Sequence, residues 1–256
     1  MDKKIQIVAI IGAIAFSVFV LTSPDDPIPL PEPSSNSKSD SVIILAENLD
    51  KPRGIAISDD RIFVTEKDGL IRVIQNDILL DSPLATFRSA DVFDGGLLGI
   101  TLHPEFSTNH YLYVFLTYEE DGNLWNKILK IKESENKLKN VQTIFDKIPG
   151  SSFTNGGFLK FGPDEKLYVG TGTVSDSSHL PQDLNSLAGK ILRLNDDGTI
   201  PDDNPFSNSP VYSLGHRHTQ GMTWDDDGNL YVAEFGPEKN DEINLILPGK
   251  NYGWPE

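Results

Sequence analysis

Residues 158–172, FLKFGPDEKLYVGTG, decide how this chain is read. An apolar run (Phe158, Leu159, Phe161) meets the turn formers Gly162, Pro163 and Asp164, and a second run, Leu167-Tyr168-Val169, follows. Short aromatic and β-branched runs separated by Pro-Asp or Asp-Gly are the grammar of strands joined by hairpin turns. The same phrase returns at Gly54-IAISDDRIFVTEKDGLIRVI, at Leu98-GITLHPEFSTNHYLYVFLTY and at Gly221-MTWDDDGNLYVAEFG. Aligning Val64, Val114, Val169 and Val232 gives steps of 50, 55 and 63 residues. A hairpin repeat near that length predicts an all-β protein built from β-propeller blades, each burying its apolar face against its neighbour. A sandwich with similar hairpins is the alternative reading. From Val42 onward no stretch carries a long apolar period of helical spacing.

Working outward, the chain has 256 residues, and 38 acidic against 22 basic side chains leave a formal charge of −16. That balance argues against a nucleic-acid partner, because phosphate binding draws on basic patches. With no cysteine, disulfides, thiolate metal sites and a cysteine nucleophile are excluded, and five histidines remain for imidazole chemistry. At the N-terminus two lysines precede Ile5–Thr22, in which only Gln6, Ser17 and Thr22 are polar. Residues 1–22 are therefore expected to be a membrane anchor or signal segment, with the body on the extracytoplasmic face, anchored or secreted. Residues 23–41, rich in Pro, Ser and Asp, form a linker, and residues 42–256 form the propeller domain. The domain holds about four blades at the observed period.

Three segments carry candidate chemistry. Leu214-GHRHTQG sets His216, Arg217, His218 and Gln220 ahead of an apolar strand, and strand alternation turns Arg217 away from both histidines. A guanidinium there suits a carboxylate or carbonyl ligand, or a structural pair with an aspartate. The Gly- and Pro-rich stretch from Phe235 to Glu256 frees backbone carbonyls which, with Asp241 and Glu242, are suitable oxygen ligands for Ca²⁺. Thr223-WDDDGNLYVA-Glu234 imitates part of a calcium loop but is flanked by strands, so a hairpin turn is expected, and Asp196-DGTIPDDNPF is expected to be a solvated acidic loop.

Taken together, Gly95-GLLGITLHPEF, Gly156-GFLKFGPDEKLYVGTG, Leu187-AGKILRLNDDGTIPDDNPF, Val211-YSLGHRHTQGMTW and Glu234-FGPEKNDEINLILPGKNYGWPE resemble the glucose/sorbosone dehydrogenase family over most of residues 45–256. The resemblance implies a six-bladed propeller that oxidises aldoses or sugar alcohols with pyrroloquinoline quinone (PQQ) and Ca²⁺; such a ring needs about 300 residues at this period, so an incomplete propeller with an unpaired edge, or a truncated chain, is the expectation. It implies that Arg217 faces the quinone carbonyls and that Asp94 lines the same pocket. It further implies that the carbonyls of Gly236 and Pro237 ligate the calcium that chelates PQQ, and that Glu242 and Tyr252 lie near a structural calcium. The family's histidine base and its orienting carboxylate fall on Thr154 and Thr173, and a threonine hydroxyl cannot act as a base near neutral pH. The family arginine after the glycine is Phe158. His218 replaces an asparagine and leaves one imidazole nearby as a candidate catalytic group. Three functions remain open: a PQQ-dependent sugar dehydrogenase acting on a small sugar, a non-catalytic surface propeller or fragment, and a calcium-dependent propeller hydrolase.

Overall fold

The computed structural model describes residues 42–175 and 179–255. The expected membrane segment and linker, residues 1–22 and 23–41, lie outside the described residues. Among the described residues no helix is long and apolar enough to cross a membrane.

Among the described residues, strands between Pro52 and Ile246 build four antiparallel sheets in chain order. The first contains β1 (Pro52–Ile57), β2 (Arg61–Glu66), β3 (Leu70–Gln75) and β4 (Ile78–Leu79), with β5 (Ala85–Thr86) also on β3. The second contains β6 (Leu97–Leu102), β7 (Tyr111–Glu120), β8 (Asn123–Ser134) and β9 (Lys137–Pro149), with one turn of helix at Phe106–Asn109. The third contains β10 (Gly156–Phe161), β11 (Leu167–Thr171), β12 (Lys190–Leu194) and β13 (Val211–Leu214). The fourth contains β14 (Thr219–Trp224), β15 (Leu230–Glu234) and β16 (Glu242–Ile246). Val64, Val114, Val169 and Val232, the four aligned residues, all sit on second strands and each faces a residue of its own first strand. This is a four-blade propeller arrangement.

Period-two alternation explains why these sheets stack. On β7, Leu112, Val114 and Leu116 enter the core shared with the first sheet, while Tyr113 and Phe115 enter the core shared with the third. On β11 and β12, Leu167, Val169, Leu192 and Leu194 face the second sheet, and Tyr168 and Ile191 face the fourth. A strand buried on both faces reads as a nearly continuous apolar run, as Leu-Tyr-Val-Phe-Leu does at 112–116.

First strands pack side by side in chain order, β1 on β6, β6 on β10 and β10 on β14. Each carries a bulge at one place. Three residues from Pro52, Leu97, Gly156 and Thr219 oppose two residues of the second strand, ending at Ile55, Ile100, Leu159 and Met222. Such bulges bend a strand and re-aim its side chains. Close approach there demands the absence of a side chain: a Cβ on Gly99 would lie 2.2 Å from the Gly157 carbonyl oxygen, and one on Gly54 2.8 Å from that of Leu98.

Polar pins join the sheets away from this crowded face. Arg61 of β2 donates from Nη2 to Oε1 of the fully buried Glu133 on β8 at 2.9 Å, and Asn136 donates to Gln75 at 2.8 Å. Fully buried Lys190 directs its Nζ at the carbonyls of Leu180, Pro181 and Ala188, 2.7–2.9 Å away, fastening the connection between β11 and β12. The loop at 196–206, expected to be solvated, is partly tethered: Asp196 takes Lys130 at 2.7 Å and Asp203 takes Arg193 at 2.8 Å. The hairpin expected at 225–228 is present, with Asp225 accepting the backbone N–H groups of Asp227 and Asn229. Replacing Arg61 by Met strands the Glu133 carboxylate in the core, and urea unfolding is expected to show a loss of about 3 kcal/mol; a loss below about 1 kcal/mol would show that the sheets do not depend on this pair.

Candidate functional site

The bulges gather the beginnings of all four first strands around one pocket of about 170 Å³. Arg53, Asp94, Leu98, Gly156, Gly157, Thr219 and Gln220 line it. Asp94 precedes β6 by three residues, and Thr154 and Arg217 each precede their strands, β10 and β14, by two. Residues distant in the chain are therefore neighbours at one face.

Asp94 is the carboxylate of this pocket. Its Oδ1 accepts Arg53 Nη2 at 3.0 Å, and its Oδ2 lies 3.2 Å from His218 Nε2 and 3.4 Å from the backbone N of Asn155. Buried Asn155 holds the surrounding backbone: its amide donates to the carbonyls of Asp94 and Ser151, and its oxygen accepts from Ser151 and Asn126. Asn126 in turn accepts the Thr117 hydroxyl, so the network is satisfied from end to end.

The backbone N–H of Gly156 points at His218 Nδ1 at 3.3 Å. Nδ1 is thus the unprotonated nitrogen of the neutral ring and Nε2 carries the proton, 3.2 Å from Asp94 Oδ2; the Gln220 amide, 2.6 Å from Nε2, matches this tautomer with its oxygen turned to the ring. Burial lowers the imidazole pKa below its ordinary value; Asp94 and Glu234 oppose this, and Arg217 and Arg53 reinforce it. At neutral pH the ring is uncharged. The imidazole and the Phe235 ring meet edge to face, 5.9 Å between centroids.

Phe235 belongs to a second cavity of about 190 Å³, lined by Arg217, Glu234, Gly236, Pro237, Glu242, Tyr252 and Trp254 among others. Arg217 Nη1 donates to the carbonyls of Gly236 at 2.6 Å and Phe235 at 3.1 Å, and its guanidinium lies 5.4 Å above the Trp254 ring. Asp241 accepts the Gly236 N–H at 3.0 Å. The Tyr252 hydroxyl is committed to the backbone of Leu245 and Leu247, and Glu242 is exposed and accepts from Asn244. Among the described residues no group of three or more His, Cys, Asp or Glu side chains stands at metal-binding spacing, so an oxygen site here would draw largely on carbonyls.

Arg217 owes its pose to a clamp that sequence reasoning missed. Fully buried His216 sits 2.8 Å from Ser213 Oγ through Nε2 and 2.8 Å from Glu234 Oε2 through Nδ1. The other Glu234 oxygen accepts the backbone N–H of Arg217. Ser-His-acid is the order of a hydrolytic triad, but Ser213 and His216 are inaccessible, and the arrangement orients rather than attacks. Tyr252 stacks on His216 at 4.8 Å and closes the clamp. Alternation in His216-Arg217-His218 foretold the split between buried rings and the guanidinium, but not the partner carboxylate.

Thr154 and Thr173 lie beside His218 without replacing a base. Thr154 has a left-handed backbone (φ 54°), and its buried hydroxyl finds no protein partner. Thr173 donates its N–H to the Arg217 carbonyl at 2.8 Å and its hydroxyl to the Ser175 carbonyl at 3.2 Å. Arg53 and Asn155 escaped the sequence reading because their partners, Asp94 and Asn126 among them, come from other sheets or the loops before them, and Glu234 because its partners His216 and Arg217 stand 18 and 17 residues away. Only the unusual Asn155-Gly156-Gly157 run marked its surroundings.

With this geometry in view, the chain can be compared with known proteins. A family model described as Glucose / Sorbosone dehydrogenase matches residues 49–256. Quinoprotein glucose dehydrogenase B of Acinetobacter calcoaceticus is 32% identical, over 98% of this chain and 59% of its own length. The aldose sugar dehydrogenase of Escherichia coli is 34% identical, over 84% of this chain and 62% of its own. Among solved structures, the PQQ-bound aldose sugar dehydrogenase of Streptomyces coelicolor superposes with a TM-score of 0.77 at 38% identity, covering 82% of this chain and 64% of that one. The chain thus spans about three fifths of the length of the curated relatives it matches.

Glu234→Gln keeps the shape of the clamp but leaves an amide that cannot accept from both His216 and Arg217. Denaturant unfolding should show a loss of roughly 1.5–3 kcal/mol, as for other hydrogen bonds to charged groups. Glu238→Gln, on the exposed part of the same loop, should stay within about 0.5 kcal/mol. Equal small effects would contradict the clamp.

Proposed function

The chain belongs to the glucose/sorbosone dehydrogenase family, and from that premise we propose that it carries the substrate and quinone half-site of a PQQ-linked sugar dehydrogenase. The observation that supports this best is the convergence of Arg217, Trp254, Phe235 and Gly236 on one cavity, separated by His218 from a second pocket lined by Asp94. The donor set fits a flat, anionic, aromatic group. Arg217 offers two-pronged hydrogen bonding to paired carbonyls or a carboxylate, and three aromatic rings supply flat walls.

When bound, PQQ would supply the two-electron acceptor. The work of this chain's own residues is to bind and orient. Arg217, held by Glu234, would hold the quinone oxygens and stabilise negative charge developing there. Gly236 and Pro237 would present carbonyls to a calcium ion, with Asp241 and Glu242 adding negative charge nearby. Holding that ion requires the guanidinium to leave the Gly236 carbonyl it now engages. Tyr252 acts through its ring rather than its hydroxyl, which is already bonded twice. The small-molecule substrate of this reading is an aldose, taken into the pocket beside Asp94.

The N-terminal sequence supports a location outside the cytoplasmic membrane, with residues 1–22 as anchor or signal. The losses at Thr154 and Thr173 support the second reading, a non-catalytic, surface-anchored propeller that keeps the scaffold. A hydrolase needs several carboxylate or amide ligands converging on one ion, and Asp94 is the single carboxylate among the residues lining the pocket between the first strands.

Full-length protein supplied with PQQ and Ca²⁺ is expected to bind the quinone and to reduce a dye when given aldoses. Arg217→Gln should weaken quinone binding and cut dye reduction at least 100-fold. Absence of quinone binding by the unmutated chain overturns the dehydrogenase reading. Binding without turnover across a broad sugar panel selects the non-catalytic one.

A further inference from the structure

Oxidation of a sugar hydroxyl requires that its proton leave, and the hydroxyls of Thr154 and Thr173 cannot accept it. Among the described residues, the ionisable side chains around the pocket between the first strands are Arg53, Asp94 and His218, and of these Asp94 presents a carboxylate to the pocket. We infer that Asp94 is the proton acceptor of this site and that His218, whose Nε2 lies 3.2 Å from Oδ2, is the residue that positions it. This inference rests on the dehydrogenase reading and gives that site its acid–base group.

Geometry carries it in four ways. Asp94 is one-fifth exposed and lines the pocket, whereas His218 is largely buried behind it. Both carboxylate oxygens are held, Oδ1 by Arg53 at 3.0 Å and Oδ2 by His218 at 3.2 Å, so the group is fixed in direction. The ring is fixed too, because Gly156 takes Nδ1 and the Phe235 ring bounds its edge. Asn155 holds the Asp94 backbone through its carbonyl, which ties the acceptor to the same loop that carries Thr154. In the transfer the substrate O–H bond breaks and an O–H bond forms on Asp94; the imidazole keeps its own proton throughout. The pair left on oxygen closes the C=O bond as the C–H bond on the same carbon breaks, and that bond's pair would leave with its hydrogen as hydride to the quinone class of acceptor named above.

The state of the ring matters. An uncharged His218 sets its Nε2 3.2 Å from Asp94 without forming an ion pair. An imidazolium would pair with Asp94 as an ion and weaken it as an acceptor. The charged groups facing the ring are Asp94 from the loop before β6, Arg53 from β1, Arg217 from its own loop and Glu234 from β15. Burial holds the ring below its ordinary pKa, so turnover should rise with pH through that lowered value and level off before neutrality.

The test compares wild type with Asp94→Asn, His218→Asn and His218→Ala, each checked for folding by circular dichroism and for PQQ binding by absorbance. Asp94→Asn is expected to bind PQQ within threefold of wild type yet lose at least 1,000-fold in glucose-driven dye reduction. His218→Asn keeps an N–H donor and should retain activity within tenfold without the low-pH limb, while His218→Ala should fall about 100-fold. Independently of turnover, NMR titration of the imidazole should show a lower His218 pKa in Asp94→Asn, since the carboxylate stabilises the imidazolium. A His218 titration unmoved by Asp94→Asn, or turnover surviving Asp94→Asn with PQQ bound, overturns the inference. Failure of wild type to bind PQQ removes the dehydrogenase reading and this role with it. Loss in both His218→Asn and His218→Ala, with Asp94→Asn active, would make the imidazole itself the acceptor.

Discussion

Stacking of sheets face to face is the constraint on which the rest of the molecule depends. β7 and the pair β11 and β12 must satisfy two cores at once, and their alternate side chains do so without a polar face. Once three such cores are filled, the first strands have no freedom in their spacing. They meet with glycine at the tightest points and shed the excess length as a bulge. The site is a product of that crowding, because the bulges turn the strand beginnings toward one another.

Electrostatics is then arranged around the crowded face in layers. Innermost are the neutral ring of His218 and the satisfied amide of Asn155. Around them stand the charged pairs Arg53–Asp94 and Arg217 with the Glu234 clamp. The surplus of acid lies farther out, in turns such as Asp225–Asp227, where Asp225 is stabilised by backbone and Asn229 hydrogen bonds. Net charge therefore describes the rim of the protein and says little about its chemistry.

Fold and site differed in how much of each was legible. Hairpins could be read because a run such as Phe158–Phe161, its Gly-Pro-Asp turn and its Leu-Tyr-Val return lie within 15 residues, and the reason for each element is local. Four repeats then followed from counting. The site was legible only where a residue's role comes from its own segment: Arg217 between two buried histidines, or Gly236 and Pro237 in a carbonyl-rich loop. Arg53 with Asp94, Asp94 with His218 and Glu234 with His216 are contacts between separate segments of the chain, and no spacing rule encodes them. The acidic loop at 196–206 is solvated as expected, but its tie to Lys130 was hidden for the same reason, since that lysine arrives from another sheet.

The repeated bulge has a consequence for how such a molecule changes over time. Pro52, Leu97, Gly156 and Thr219 begin the bulge in four copies of one local backbone, so the residues just ahead of them occupy corresponding sockets around a common rim. A functional group lost from one socket can be regained from another by a single codon change, with no backbone to rebuild. Descendants of such an ancestor could exchange their chemistry between repeats while their folds remain superimposable, and a fixed alignment column would then be a poor guide to which copy carries the reacting group.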